Sequence, residues 1–360
     1  MQPLSAKTWL RGLTALLATM LLCLMAANFI IDPFGLFGST FLDQEGAIGN
    51  IRFKKIEYLK EHNARYDAYI FGSSRAGVIP LETFAKHLPQ KSFYNMSVPN
   101  SNIWDQLRHV HYFIDSGFPV DFIFLQYDID SIYRYEKDKF LFHPHPEVID
   151  KNLYLYLLKS LVIYPEGDWK NRLRQASGPR KLNIAMENGV FDMIYVEQKF
   201  KADPEGFIEA VEEFQSNPLR KNFFDRQLIA RKKADLQRIK DLCRTNNITL
   251  IVATTPYNQI KMDGLNKQGY LAELAALAEV TDFWDFSGYN EVTTNNFNYY
   301  EESHYRPHVA QWMAARIFGK TDQHGPPADF GHKVTSVNIG RHLQKRQQEI
   351  AERDAQRFGP

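Results

Sequence analysis

The sequence predicts an α/β domain on a parallel sheet covered by helices, preceded by one membrane-spanning helix. Three observations carry this. Short apolar β-runs alternate with amphipathic helical stretches along most of the chain, the β-α-β order of a parallel sheet. One run, Asp121–Asp128 (DFIFLQYD), is almost continuously apolar, as expected of a strand buried on both faces. Near the N-terminus, Leu13 to Ile31 (LTALLATMLLCLMAANFII) carries no charge, and about 20 apolar residues span a bilayer as a helix.

The elements follow in order. Lys7 and Arg11 precede the apolar stretch, and no Lys or Arg follows until Arg52, whereas Asp32, Asp43 and Glu45 do. The positive-inside rule then leaves the N-terminus in the cytoplasm and the rest across the membrane. A cleaved signal peptide and a buried core helix are the rival readings, but Met25-Ala26-Ala27 is a poor small-x-small cleavage site and bulky Asn28-Phe29-Ile30 follows it. Strands are expected at Tyr66–Gly72, Lys91–Ser97, Asp121–Asp128, Asn247–Thr255 and Thr281–Phe286. Helices are expected at Asn102–Ser116 with Ser101 as N-cap, at Gln227–Thr245, at Leu265–Ala278 and at Pro307–Phe318. Residues Ile129 to about Asp225 break the rhythm and read as an insertion with one helix near Lys151–Ile163: either a loop package or a lid or acceptor-binding wall. After the Gly325-Pro326-Pro327 loop, a charged helix from about Val337 to Arg357 is expected to dock through Ile339, Leu343 and Ile350. The domain division is 1–35 for the cytoplasmic stub and anchor, 36–322 for the α/β domain with its insertion at about 129–225, and 323–360 for the C-terminal loop and helix.

Composition narrows the function. Forty-three Lys+Arg against 42 Asp+Glu leave a net charge of +1, too little for nucleic-acid binding driven by bulk charge. With 44% hydrophobic and 14% aromatic residues, the chain buries a core rather than staying disordered. Two cysteines, Cys23 and Cys243, exclude a disulfide framework or a Cys-rich zinc site. His143-Pro144-His145 and the His109/His111 pair invite a metal reading, but no closed ligand set accompanies them. There is no Gly-x-Gly-x-x-Gly or Walker pattern, so no nucleotide cofactor is expected.

Ligands of open parallel sheets bind at the carboxyl ends of strands. The first strand ends in Phe71-Gly72-Ser73-Ser74-Arg75. A hydroxyl on that turn faces the crevice, with helix-start N–H groups beside it for a developing oxyanion; the bland reading is a turn with an N-cap serine. A serine nucleophile needs a base. After the fifth strand comes Tyr300-Glu301-Glu302-Ser303-His304-Tyr305-Arg306-Pro307. Glu301 and His304 are three apart, a spacing that lets a carboxylate reach the imidazole, fix its tautomer and stabilise the imidazolium. Arg75 and Arg306 flank this pair and either grip a substrate phosphate or carboxylate or pair with neighbouring acids. Thr254-Thr255-Pro256-Tyr257-Asn258 either lines the crevice or is a plain turn.

On these blocks the chain resembles the SGNH/GDSL hydrolase superfamily, in particular its membrane-anchored cell-envelope branch, similar to proteins of alginate O-acetylation and lipoteichoic-acid D-alanylation. The resemblance covers roughly residues 60–128 and 245–320; the anchor followed by Asp32-Pro33-Phe34-Gly35 is also reminiscent of that branch. It implies a three-layer α/β/α flavodoxin-like fold. In the family's Gly-Asp-Ser block the serine is the nucleophile, which puts Ser74 in that place and Ser73 where aspartate is usual. In the Asp-x-x-His block, Glu301-Glu302-Ser303-His304 makes His304 the base and Glu301 its orienter, with Glu302 as substitute if the turn differs. The oxyanion-hole glycine has no counterpart in Tyr94–Ser101, where the N–H of Ser97 is one replacement, and Asp128 stands where Gly-x-Asn carries the oxyanion-hole asparagine. An ionised Asp128 would repel the developing charge. It is then protonated, or points elsewhere, or the hole is built from the Ser74 N–H and Asn95.

The resemblance implies acyl transfer or ester hydrolysis without a cofactor, on the extracytoplasmic side of a bacterial-type inner membrane. The expected partners are a cell-envelope polysaccharide or acylated polymer and a membrane acyl-donor system. The alternative is a catalytically inactive binding or assembly component that keeps the fold.

Overall fold

The computed structural model describes residues 5–38, 49–131, 143–163, 183–218, 224–319 and 325–359. The chain divides into two compact units. One comprises Met1–Glu57 and Tyr135–Asn183, the other Tyr58–Arg134 and Ile184–Pro360.

The first unit is built on helix α1 (Ala6–Ile31), long and apolar enough to cross a membrane. Ser5 caps its N-terminus by accepting from Thr8 N–H. The Asp32-Pro33-Phe34-Gly35 segment ends it. Asp32 takes the left-handed conformation at the C-cap, and its buried carboxylate accepts from the N–H groups of Leu36 and Phe37. The insertion helix expected near Lys151–Ile163 is present as Leu153–Val162, capped by Asn152.

The second unit holds the six-stranded sheet. In chain order its strands are β1 (Ala68–Phe71), β2 (Phe93–Asn95), β3 (Phe122–Tyr127), β4 (Thr249–Thr254), β5 (Phe283–Asp285) and β6 (His332–Val334), arranged β2-β1-β3-β4-β5-β6. The five strands expected from the sequence pair in parallel. The sixth, antiparallel to β5, was not foreseen. His332-Lys333-Val334 is too short and too charged to announce itself by pattern. β1 and β3 are fully buried along their length, which accounts for the unbroken apolar run of β3.

Helix Ile103–Asp115 begins one residue later than expected: Asn102, not Ser101, is the N-cap and accepts from the N–H groups of Trp104 and Asp105. Helix Arg226–Thr245, capped by Asp225, packs against Ile103–Asp115 and against Lys267–Val280. The C-terminal helix runs Ile339–Phe358. Its docking differs from the expectation. Ile339, Leu343 and Ile350 are only half-buried, and the deeply buried contacts are polar. Arg346 Nε donates to Asp285 at 3.0 Å, His342 Nε2 lies 2.7 Å from the same carboxylate, and Arg353 makes a two-pronged contact with Asp263. Burial pushes the Asp285 carboxyl up, but Arg346 and His342 outweigh it and hold the group far below its ordinary range. The pattern missed this because charged residues on a helix are usually a solvated face.

Candidate active site

The strand ends supply the site. β1 ends at Phe71, and the chain turns through Gly72 into a short helix, Ser74–Gly77. The turn is tight: a Cβ on Gly72 would lie 2.5 Å from Ala76 Cβ, so no larger residue fits without moving the helix. Ser73 caps that helix, its hydroxyl accepting from Arg75 N–H. It is buried, while Ser74 is half-exposed. As the first helical residue, Ser74 has no intrahelical acceptor for its own N–H.

The opposite side is a narrow turn, Tyr299–Arg306. Tyr299 and Tyr305 form a β-bridge, and Tyr300 N–H donates to His304 C=O at 2.9 Å. Two buried tyrosines moor it: Tyr305 donates to Gln126 Oε1 on β3 at 2.6 Å, and Tyr299 donates to Pro256 C=O at 3.0 Å after β4. At the tip, Glu301 accepts from His304 Nδ1, from His304 N–H at 2.6 Å and from Ser303 N–H at 3.1 Å. His304 Nε2 lies 2.8 Å from Ser74 Oγ. Ser74, His304 and Glu301, the first two separated by 230 positions in the chain, are thus joined by one continuous line of hydrogen bonds. The line is open to solvent: the His304 and Glu301 side chains are 30% and 29% exposed. Burial pushes the Glu301 carboxyl up, but the hydrogen bond and charge of His304 outweigh it and hold the group below the ordinary carboxylate range. The acid is therefore ionised at neutral pH. Glu302 takes no part in this line, pairing instead with Lys261 at 3.0 Å.

Beside the serine lies a buried ionic cluster. Arg75 makes a two-pronged contact with Asp130 at 2.8 and 2.9 Å, reaches Asp128 at 3.1 Å and stacks on Tyr257 at 4.8 Å. Tyr257 in turn donates to Asp130 at 2.7 Å. Burial raises the Asp130 carboxyl, but Arg75 and Lys261 pull it down to about 2. Burial would lower the Arg75 guanidinium, yet Asp128, Tyr257 and Asp130 hold it well above its ordinary value. Asp128 also accepts from the Thr255 hydroxyl, which itself accepts from Gln126 Nε2 at 2.8 Å. Both Asp128 oxygens are thus engaged by the chain itself, Oδ2 by Arg75 and Oδ1 by Thr255. Thr255 and Tyr257 belong to this cluster, so the segment after β4 is more than a plain turn.

Asn95 is a correction. It was one alternative for the oxyanion hole, but it is fully buried and its Nδ2 donates to Ala76 C=O at 2.8 Å, in the serine helix. The Ser97 N–H is likewise spent, on Asn95 Oδ1 at 3.0 Å. Among the groups considered for the oxyanion, the Ser74 N–H, at the first position of its helix, is the one not spent inside the fold. Arg75 and Arg306 are both held by carboxylates of the chain itself. Arg306 grips Glu197 through Nε and Nη2 at 3.1 and 2.7 Å and lies 3.8 Å over the Phe200 ring. A substrate anion would first have to displace these acids.

Sequence reasoning missed Glu197 and Asp130. Asp130 carried a weak signal, a second carboxylate two residues beyond Asp128 at a strand end. Glu197 carried none. It lies on helix Ile194–Ala202 of the insertion and accepts from Tyr300 OH at 2.7 Å as well as from Arg306, so it clasps both ends of the His304 turn. Just upstream, Phe191 packs on the serine helix: a Cβ on Gly77 would lie 2.7 Å from its ring. This part of the insertion therefore touches both halves of the site.

Among the described residues no three His, Cys, Asp or Glu side chains converge as metal ligands. His111 pairs with Asp115 at 2.7 Å, and in the first unit His145 pairs with Glu57 at 3.0 Å. No protein-family model matches this chain, and no curated protein matches it.

Proposed function

We propose that the protein is an SGNH-like serine acyltransferase or esterase with a three-layer α/β/α domain, held at the outer face of a cytoplasmic membrane by α1 and acting on a cell-envelope polysaccharide or related acylated polymer. One observation carries the reading: a half-exposed serine at the carboxyl edge of a parallel sheet, 2.8 Å from an imidazole whose other nitrogen is held by an ionised carboxylate. A serine that only caps a helix has no need of that arrangement.

In the proposed reaction Ser74 Oγ attacks an acyl carbonyl carbon while His304 Nε2 takes its proton. Glu301 keeps the proton on Nδ1 in the resting imidazole and stabilises the imidazolium that forms. The Ser74 N–H faces the developing oxyanion. Collapse expels the leaving alkoxide, which receives the proton from His304 and departs as an alcohol. The acyl-serine then passes its acyl group to a sugar hydroxyl or to water, His304 accepting the proton of the attacking group and returning it to Ser74. No cofactor enters these steps. A tethered catalyst suits a surface polymer better than a diffusing metabolite, and a membrane acyl-donor system is the natural supplier. The flanking charges support placing the domain across the membrane from the N-terminus.

The second reading, a non-catalytic assembly component of an envelope polysaccharide system, is favoured by one observation: the Asn95 and Ser97 donors are spent inside the fold, which leaves a thin oxyanion site. A fluorophosphonate probe separates the two. Labelling of the wild type that is lost in Ser74→Ala supports the enzyme. No labelling of the wild type, together with full function of Ser74→Ala in cells, supports the scaffold.

A further inference from the structure

Helix Leu153–Val162 (LYLYLLKSLV) in the first unit turns an apolar side outward. Tyr154 is 81% exposed, Leu155 66%, Leu158 50% and Val162 40%. At 3.6 residues per turn, these four and exposed Lys159 fall within an arc of about 140°. Ser160, on the other side, is buried. Leu153, Leu157 and Leu161 on that inner side are half-buried, so the helix is apolar all round, unlike a helix in water, whose outer side is polar.

The position of the helix supplies the occupant. Asn28 is a polar residue in the last turn of α1, and its buried amide donates to the carbonyls of Leu161 at 2.7 Å and Ile163 at 2.9 Å. These are carbonyls at the C-terminal end of the shorter helix, which lack partners within it. The helix is thus pinned to α1 along its last turn, where the uncharged stretch ends at Ile31 and the chain leaves the apolar layer. Ten residues rise only about 15 Å, too short to cross a hydrocarbon core of about 30 Å. An aromatic ring and a lysine at the edge of an apolar face suit the headgroup boundary, where Tyr anchors and Lys extends its ammonium to phosphate.

We infer that Leu153–Val162 is an interfacial membrane helix, lying on the bilayer beside the end of α1 with Tyr154, Leu155, Leu158 and Val162 in the acyl-chain boundary. The occupant of this face is lipid. The anchor then meets the membrane at two points rather than one, which constrains its depth and tilt. This rests on α1 being membrane-inserted, and the test separates the two claims.

The full chain is reconstituted in phosphatidylcholine–phosphatidylglycerol vesicles. Wild-type protein is labelled with an environment-sensitive fluorophore at Cys23, which is exposed on α1, whereas Cys243 is buried. Single probes at Leu155→Cys and Leu158→Cys are made in a Cys23→Ala background. Quenching is compared between lipids with a nitroxide near the headgroup, lipids with a nitroxide deep in the chain, and aqueous iodide. The expected result is deep quenching at Cys23, and at 155 and 158 a blue-shifted emission lost mainly to the shallow nitroxide and insensitive to iodide. Quenching of 155 and 158 by iodide, with Cys23 still quenched by lipid, overturns the inference and leaves the anchor standing. Protection of 155 and 158 from both lipid nitroxide and iodide also overturns it, because protein then covers the face. A Cys23 probe that iodide quenches and lipid does not overturns the anchor itself, and the interfacial helix with it.

Discussion

The Glu301 carboxylate gives the sharpest test of the site. Glu301→Gln keeps the size and one acceptor oxygen but removes the charge. In the transition state His304 is an imidazolium, its charge centre about 4 Å from the carboxylate in a direct hydrogen bond. Unit charges at that separation attract by about 4 kcal/mol at an effective dielectric of 20 and about 1 kcal/mol in water. The two side chains are 30% and 29% exposed, so solvent screening places the interaction between these limits, at about 2–3 kcal/mol. The amide adds a local conflict. The carboxylate now accepts from Ser303 N–H, His304 N–H and His304 Nδ1; either orientation of Gln turns its NH2 toward a backbone N–H. The expected loss in the second-order rate constant for fluorophosphonate modification of Ser74 is roughly 30- to 150-fold. The carboxyl titrates below its ordinary range, so the wild-type advantage persists into mild acid and fades only as the pH falls beneath that range. Glu302→Gln is the control: Glu302 pairs with Lys261 and its loss leaves the rate near wild type. A Glu301→Gln rate equal to wild type across neutral pH, or a larger loss in Glu302→Gln, refutes the assignment of the carboxylate.

Three further outcomes are expected. Arg75→Met strands Asp128 and Asp130, whose side chains are 4% and 13% exposed; stability measured by urea unfolding should fall by about 3–5 kcal/mol, and an unchanged midpoint would show that the cluster contributes nothing. Asp130 titrates at about 2 against an ordinary 3.8. Its stabilisation is therefore complete above about pH 4 and is lost as the pH falls through about 2, on the order of 2 kcal/mol; unfolding followed against pH in wild type and Asp130→Asn should show this acid-sensitive component only in the wild type. Glu197→Gln weakens the clasp on the His304 turn, so the labelling rate of Ser74 should drop roughly tenfold, the equivalent of about 1.4 kcal/mol, while the denaturation midpoint stays close to wild type. Equal rates would leave Glu197 as a surface ion pair and nothing more.

The sequence by itself determined the elements that depend on local pattern. The apolar run of β3, the β-branched run of β4 and the uncharged length of α1 each reflect burial or solvent along a single element, and periodicity reports that directly. The Glu301–His304 pairing was legible for the same reason: both residues lie in one turn, and three positions set their separation. Only the tertiary structure decided what crosses between elements. Whether Ser74 meets His304 depends on how β1 and the turn after β5 converge, which no local signal encodes. The same holds for Asp128, whose charge looked hostile to an oxyanion until Arg75 and Thr255 stood beside it, and for Asn95, whose donors went to carbonyls under the serine helix. The C-terminal helix was read as an amphipathic docking and proved to be held by Arg346 and His342 on Asp285. Hydrophobic burial leaves a periodic trace along the chain because it acts on every residue of a face. A buried charge pair acts between two atoms brought together by the whole fold, and it leaves no such trace.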